Sequence, residues 1–288
     1  MDYTYYPGCS LSATGHAYDA STRAISGKLG LNLIELDDWN CCGATAYMSV
    51  EELTSMSLSA RNLAMAEKFG RDVVAPCSAC YTVLRKTHEY MSEYPELREK
   101  VNLALNAGGL KYDCSLRVRH LLQVLVEDVG YEKLREATVR PLSGLKLACY
   151  YGCQIVRPKG AFDDPEHPQT LDKLVEAIGA TPTHFPYKAK CCGGTLMWTK
   201  SDAGLELTKN ILTSAVQFGA DAVVTTCPLC QTNLEVYQGK IRRKFNADVD
   251  IPIVYFTQLI GLALGIDPKT LELDKLAVST DRLTARFA

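Results

Sequence analysis

The chain has 288 residues, 47% of them hydrophobic and 22% charged, with a formal net charge of −2. That balance suits a soluble globular protein of two domains or one large one, and it supplies no general field for nucleic acid or a membrane surface. No apolar stretch reaches the length of a membrane span, and the start Met1-Asp2-Tyr3-Thr4-Tyr5-Tyr6-Pro7 has neither the basic head nor the apolar run of a signal peptide. The expected location is a reducing cytoplasm, with no direct membrane insertion. There, the twelve cysteines read as metal ligands or redox groups rather than as a disulfide scaffold.

In chain order, Tyr5-Tyr6-Pro7-Gly8 leads into Cys9, and the vicinal pair Cys41-Cys42 is followed by Gly43. Ser49-Val50-Glu51-Glu52 has a capping-box form and predicts a helix start, with Leu53, Met56, Leu63 and Met65 facing inward and Gly70 as the stop. A strand over 72–75 ends at Cys77 and Cys80. The stretch from 82 to 129 reads as mostly helical, from the spacing of Leu97, Val101 and Leu105, then of Leu121, Leu122, Leu125 and Val129. Arg140-Pro141-Leu142-Ser143-Gly144 forms the expected joint.

Beyond the joint, Lys146–Tyr150 reads as a buried strand ending near Cys153. A loop rich in Pro, Gly and acid spans 157–168, and Cys191-Cys192-Gly193-Gly194 follows. A helix from 201 to 218 stops at Gly219, and a strand over 222–225 ends at Cys227 and Cys230. Strand, helix, strand in this order predicts parallel α/β layers, whose carboxyl-end edge is the usual place for a ligand. The run Arg242-Arg243-Lys244 reads as the exposed face of a helix or turn.

Ten of the cysteines make two copies of one pattern. Cys42 to Cys77 and Cys192 to Cys227 each enclose 34 residues, while Cys9 to Cys41 encloses 31 and Cys153 to Cys191 encloses 37. Phe69-Gly70-Arg71-Asp72-Val73-Val74 recurs as Phe218-Gly219-Ala220-Asp221-Ala222-Val223-Val224, and Thr82 and Leu84 as Thr232 and Leu234. These repeats predict a duplicated unit, 1–145 and 146–288. A structural zinc takes four ligands and a cubane 4Fe–4S cluster four thiolates, so either leaves one thiol of each set over. Gly43 and Gly193 give a vicinal pair the freedom to turn both sulfurs to one side. Ligand counting alone leaves several arrangements standing: a cluster using all five thiols, two zinc sites, one of each, or a dithiol oxidoreductase working through Cys77/Cys80 and Cys227/Cys230.

The pattern Cys, Cys-Cys-Gly, Cys-x-x-Cys, present twice, resembles the cysteine-rich CCG domain. Two full copies in one chain are similar to the B subunit of heterodisulfide reductase, a resemblance that extends through Pro252-Ile253-Val254-Tyr255-Phe256-Thr257-Gln258-Leu259. It implies an α/β fold of two pseudo-symmetric CCG domains, each with a small parallel sheet flanked by helices. It also implies two noncubane 4Fe–4S clusters, one on Cys9, Cys41, Cys42, Cys77 and Cys80, the other on Cys153, Cys191, Cys192, Cys227 and Cys230. The implied reaction is reduction of a disulfide, such as the coenzyme M–coenzyme B heterodisulfide, to two thiols between the clusters. Cys42 and Cys192 are the ligands expected to face the substrate in catalysis. The chain has neither a ferredoxin-type cysteine run nor a dinucleotide fingerprint. The resemblance therefore implies electrons from a ferredoxin-like iron–sulfur C subunit of the reductase complex, fed by its flavin-containing A subunit. The alternative is a non-catalytic electron-transfer protein, as in glycolate or lactate oxidation systems.

Gln154 stands where relatives often carry histidine. Arg157, Lys159, Lys188 and Lys190 are basic candidates for an anionic substrate, with surface charge as the competing reading. His16 and His184 are candidates to approach the clusters, Trp39 and Trp198 to shield them. Cys149 reads as a small buried residue, and Cys114 has no assigned role.

Overall fold

The computed structural model describes residues 1–44, 50–158 and 160–285. Its strands form two four-stranded sheets, every pairing parallel. In the first, β1 (Asp2–Tyr5), β2 (Asn32–Glu35), β3 (Val73–Ala75) and β4 (Val118–His120) lie in the order β2-β1-β3-β4. The second repeats that order as β6-β5-β7-β8, from β5 (Lys146–Tyr150), β6 (Thr181–Pro182), β7 (Ala222–Thr225) and β8 (Ile253–Tyr255). The inner strands β3 and β7 are buried along their whole length. This is why they read as continuous Val and Ala runs rather than as alternating ones: helices cover both faces of a parallel sheet.

The order of each sheet places a topological switch between β1 and β3 and between β5 and β7, where successive crossovers leave in opposite directions. Chain register sets the carboxyl ends level, with Tyr5 opposite Val74 and Tyr150 opposite Thr225. Cys9 and Cys77 follow the two strands at one switch, and Cys153 and Cys227 follow those at the other.

The halves are interleaved through helices. The helix Phe256–Ala263, after β8, packs on the first half's His16–Leu29, and Tyr131–Ala137 packs on the second half's Thr170–Ala177. Tyr18 stacks on Tyr255 with ring centres 4.3 Å apart and planes 11° apart, and Phe256 meets Tyr18 edge-on at 5.9 Å.

Several sequence expectations are corrected at this level. The stretch read as mostly helical contains β4, whose three residues are all buried and pair with β3. Its polar Arg119 is held by Glu127 at 2.8 Å and by Asp128, which also receives the Tyr3 hydroxyl. After β4, residues 125–129 wind as a π-helical turn. Of the expected cap, Ser49 lies outside the described residues, and the helix Glu52–Glu67 starts without a side-chain cap. Met56 and Leu63 face the core as expected, Met65 is half-buried, and Leu53 points outward. The helix Gln238–Phe245 does present Arg242, Arg243 and Lys244 on its exposed side, where Arg242 pairs with Asp250 at 2.6 Å.

Candidate metal centre

Each half brings its five cysteines to one edge by the same devices. The hydroxyl of Tyr6, three residues before Cys9, donates to the Asn40 carbonyl at 2.7 Å, just ahead of the Cys41-Cys42 pair. Tyr150, three residues before Cys153, donates to the Lys190 carbonyl at 2.7 Å, just ahead of Cys191-Cys192. The end of the sheet's first strand is thereby tied to the vicinal pair. Counted back from the cysteines, Tyr6 is thus the partner of Tyr150.

Two glycines let the sulfurs approach. Gly8 has φ +71° and a Cβ there would meet the Cys80 sulfur at 3.0 Å; Gly152 has φ +70° and its Cβ would meet the Cys230 sulfur at 3.2 Å. Both the left-handed backbone and the contact select glycine. The sequence signal was present, a Gly before the first cysteine of each copy, but it was read only as part of the repeat. Gly43 and Gly193, singled out for the vicinal pairs, have φ +84° and +89°.

All the cysteines are free thiols, and the ten form one unbroken line. In the first half, Cys9 contacts Cys41, Cys41 contacts Cys42, the Cys42 and Cys80 sulfurs are 3.3 Å apart, and Cys80 contacts Cys77. In the second, Cys153 contacts Cys191, Cys191 contacts Cys192, the Cys192 and Cys230 sulfurs are 3.5 Å apart, and Cys230 contacts Cys227. Cys77 and Cys227 lie close enough for each to shift the other's thiol, which joins the two sets. Cys9, Cys41 and Cys191 are exposed, Cys153 is half-buried, and the other six are buried.

Crowding dictates the charge pattern. The Cys42 and Cys9 thiols donate to Cys41 and pull it down to about 2, and Cys153 and Cys192 do the same to Cys191. Donors at Cys230 and Cys77 likewise hold Cys227 well below the usual thiol range. Their neighbours keep their protons: Cys41 pushes Cys42 up to about 12, and Cys191 does the same to Cys192. So many sulfurs ionise together only if cations neutralise them. Among the described residues, no three His, Cys, Asp or Glu side chains are grouped to hold a single metal ion. The sulfurs lie instead along two lines of five. That soft, extended donor set, with its glycine clearances, fits a polynuclear iron–sulfur group in each half.

The other sequence candidates fare unevenly. The Gln154 side-chain NH2 lies 3.8 Å from the Cys153 sulfur, and the Gln154 backbone carbonyl accepts from the Thr82 hydroxyl at 2.8 Å, tying the halves together beside the thiols. Arg157, Lys188 and Lys190 share a cleft of about 580 Å³ with His184. Lys188 is fixed there by Asp172 at 2.8 Å and the Pro168 carbonyl at 3.1 Å, and Arg157 lies 3.6 Å from Glu166, so two of the three cations already face carboxylates. Lys159 lies outside the described residues. His16 pairs with Glu272 at 2.9 Å, and His184 packs edge-on against Phe218. Trp39 packs edge-on against Tyr6, whereas Trp198 is 67% exposed and shields nothing. Cys149 is fully buried as expected; Cys114 has φ +63° and is half-buried. Among the described residues no helix is long and apolar enough to cross a membrane.

The cysteine-rich CCG domain matches this chain twice, over residues 3–85 and 147–235. The chain belongs to the CCG family. Within it, similar proteins include the 8-methylmenaquinol:fumarate reductase membrane anchor subunit of Wolinella succinogenes, 32% identical over 98% of this chain and 99% of that protein. Also similar is the B subunit of a ferredoxin/F420H2-dependent CoB-CoM heterodisulfide reductase of Methanosarcina acetivorans, 30% identical over 98% of this chain and 95% of that protein. A solved structure of a hypothetical protein from Helicobacter pylori superposes with TM-score 0.80 at 17% identity, covering 96% of this chain and 52% of that one, a likeness of fold. These relatives make the CCG chain a redox protein of the same type as the heterodisulfide reductase B subunit.

Proposed function

We propose that this CCG protein is the catalytic component of a cytoplasmic heterodisulfide-reductase-type complex and reduces a disulfide to two thiols. The observation that carries the reading is the line of ten thiols running through the Cys77–Cys227 contact. Two equivalent metal sites with a shared boundary suit a substrate made of two linked sulfurs.

Cys9, Cys41, Cys42, Cys77 and Cys80 would hold one noncubane 4Fe–4S cluster, and Cys153, Cys191, Cys192, Cys227 and Cys230 the other. Such clusters supply electrons singly, and iron that takes up sulfur. The chain's own residues do the rest. Buried Cys42 and Cys192 flank the inner thiols, while Cys9, Cys41 and Cys191 are exposed at the outer ends of the two sets. The Gln154 amide beside Cys153 can hydrogen-bond an anionic sulfur but has no proton to lose, so the two protons of the reaction come from elsewhere. Electrons would arrive from a ferredoxin-like iron–sulfur partner, itself fed by a flavin-containing one.

The Wolinella relative, matched almost end to end, favours a second reading, an electron-transfer component of a respiratory complex. Metal analysis and EPR separate the readings. The catalytic reading predicts iron and sulfide near about eight each per chain, with an EPR signal that changes when a thiol is added after oxidation. Iron without a response to any thiol would support electron transfer alone, and zinc without sulfide would remove both.

A further inference from the structure

Where the halves meet, Tyr18 and Ser78 of the first half converge on two backbone carbonyls, with His120 behind Ser78. The carbonyls are Pro76 O and Thr226 O, each belonging to the residue immediately before Cys77 or Cys227. The Tyr18 hydroxyl donates to both, at 3.0 and 3.3 Å. The Ser78 hydroxyl lies 3.1 Å from Thr226 O and 3.1 Å from the Thr226 hydroxyl. The His120 ring stands behind the Ser78 hydroxyl. Its Nδ1 accepts from the Leu122 amide at 3.0 Å, which puts the proton on Nε2, the nitrogen that faces Ser78 at 3.5 Å. Tyr18, His120, Ser78 and Thr226 are all at most 1% exposed.

From this convergence we propose that Tyr18, Ser78 and His120 form a clasp that fixes the separation of the two cysteine sets, and so the gap a disulfide must fit. The functional part of the inference rests on the reading above; the geometric part does not. Ordinary packing between the halves would scatter its polar bonds over the interface. Here Tyr18 and Ser78, backed by His120, reach the two peptide groups that precede Cys77 and Cys227, which lie close together. The device is also one-sided. Tyr255 ends β8 as His120 ends β4, and Pro228 follows Cys227 as Ser78 follows Cys77. Proline has no donor, and Tyr255 spends its ring on the stack with Tyr18. The first half therefore grips the second across the pseudo-symmetry axis. A buried, fully bonded polar cluster holds a single geometry more strictly than apolar contact does. A reaction that needs two sites to engage two bonded sulfurs at once depends on that geometry.

The test is Tyr18→Phe in the full iron-loaded chain, a change that keeps the ring stack and removes only the hydroxyl, with Ser78→Ala alone and combined. Expected are unchanged iron content, a weaker magnetic interaction between the two reduced centres, and kcat lower by roughly tenfold with little change in KM. Amide hydrogen exchange should quicken together at 77–81 and at 227–231, in both halves, whether or not iron is retained. The proposal is overturned if the double variant keeps the wild-type magnetic interaction and kcat, or if exchange quickens only around Tyr18. If the wild-type chain reduces no disulfide, the functional reading fails, and exchange and magnetic interaction still decide the clasp.

Discussion

Gly8 and Gly152 show how single residues set the chemistry. Each holds a left-handed backbone beside a cysteine sulfur of its own set, so alanine adds about 1–2 kcal/mol of backbone strain as well as the clash. Gly8→Ala is expected to empty the first cysteine set only, and Gly152→Ala the second, each lowering bound iron by about half; loss of all iron from either variant would show that the sets load as one. His120 gives a pH prediction. Burial lowers its pKa to about 4, while an unfolded histidine sits near about 6.5. A depressed histidine contributes stability that is complete above the unfolded value and is lost as pH falls toward the folded one. Between pH 6.5 and 5 the fold should lose about 2 kcal/mol through this residue, read as a fall in the urea midpoint that His120→Gln diminishes. The gathering of five cysteines in each half was legible in sequence, because the repeated spacing puts Cys9, Cys77, Cys153 and Cys227 just past strand ends. The fates of Trp198, His16 and Lys188 were not, since exposure and ion pairing are decided by residues far off in the chain, such as Glu272 for His16.

At the level of elements, the long inner features could be read directly. β5, β7 and the helix Ser201–Gln217 fall within a residue of where apolar periodicity and the glycine stop put them. β4 was missed for a physical reason. A three-residue strand covered on both faces shows no alternation, and Arg119 within it argues against burial until its pairing with Asp128 and Glu127 is seen. β8 was not read as a strand either; Ile253-Val254-Tyr255 entered only as part of a stretch that resembles the family. Helix exchange is the other feature that local sequence does not contain. Phe256–Ala263 is buried throughout and packs on the first half's His16–Leu29. We propose that the duplicated units 1–145 and 146–288 are not independent folding units. Residues 1–145 expressed alone should give poorly dispersed amide NMR signals, recovered by co-expression with 146–288; a well-dispersed spectrum of 1–145 alone would contradict this.

On the scale of the whole molecule, the repeated sheets carry two equivalent thiol sets to one seam. The closeness of Cys77 to Cys227 turns two sets into one continuous line of thiols. The sequence contained the duplication, while the facing of the two sets came only as an implication of resemblance. Local spacing says which thiols gather within a half and is silent on how halves dock; that is decided by contacts between distant residues, such as the buried Tyr18–Tyr255 stack and the exposed Thr82 bond to the Gln154 backbone carbonyl. The central claim is that both halves act in one reaction. The measurement is anaerobic thiol production from a disulfide by the iron-loaded chain with an artificial one-electron donor, beside Cys42→Ala and Cys192→Ala. The account predicts two thiols per two electrons for the unaltered chain and none from either variant, although each disturbs a different half; full turnover in either variant would contradict it.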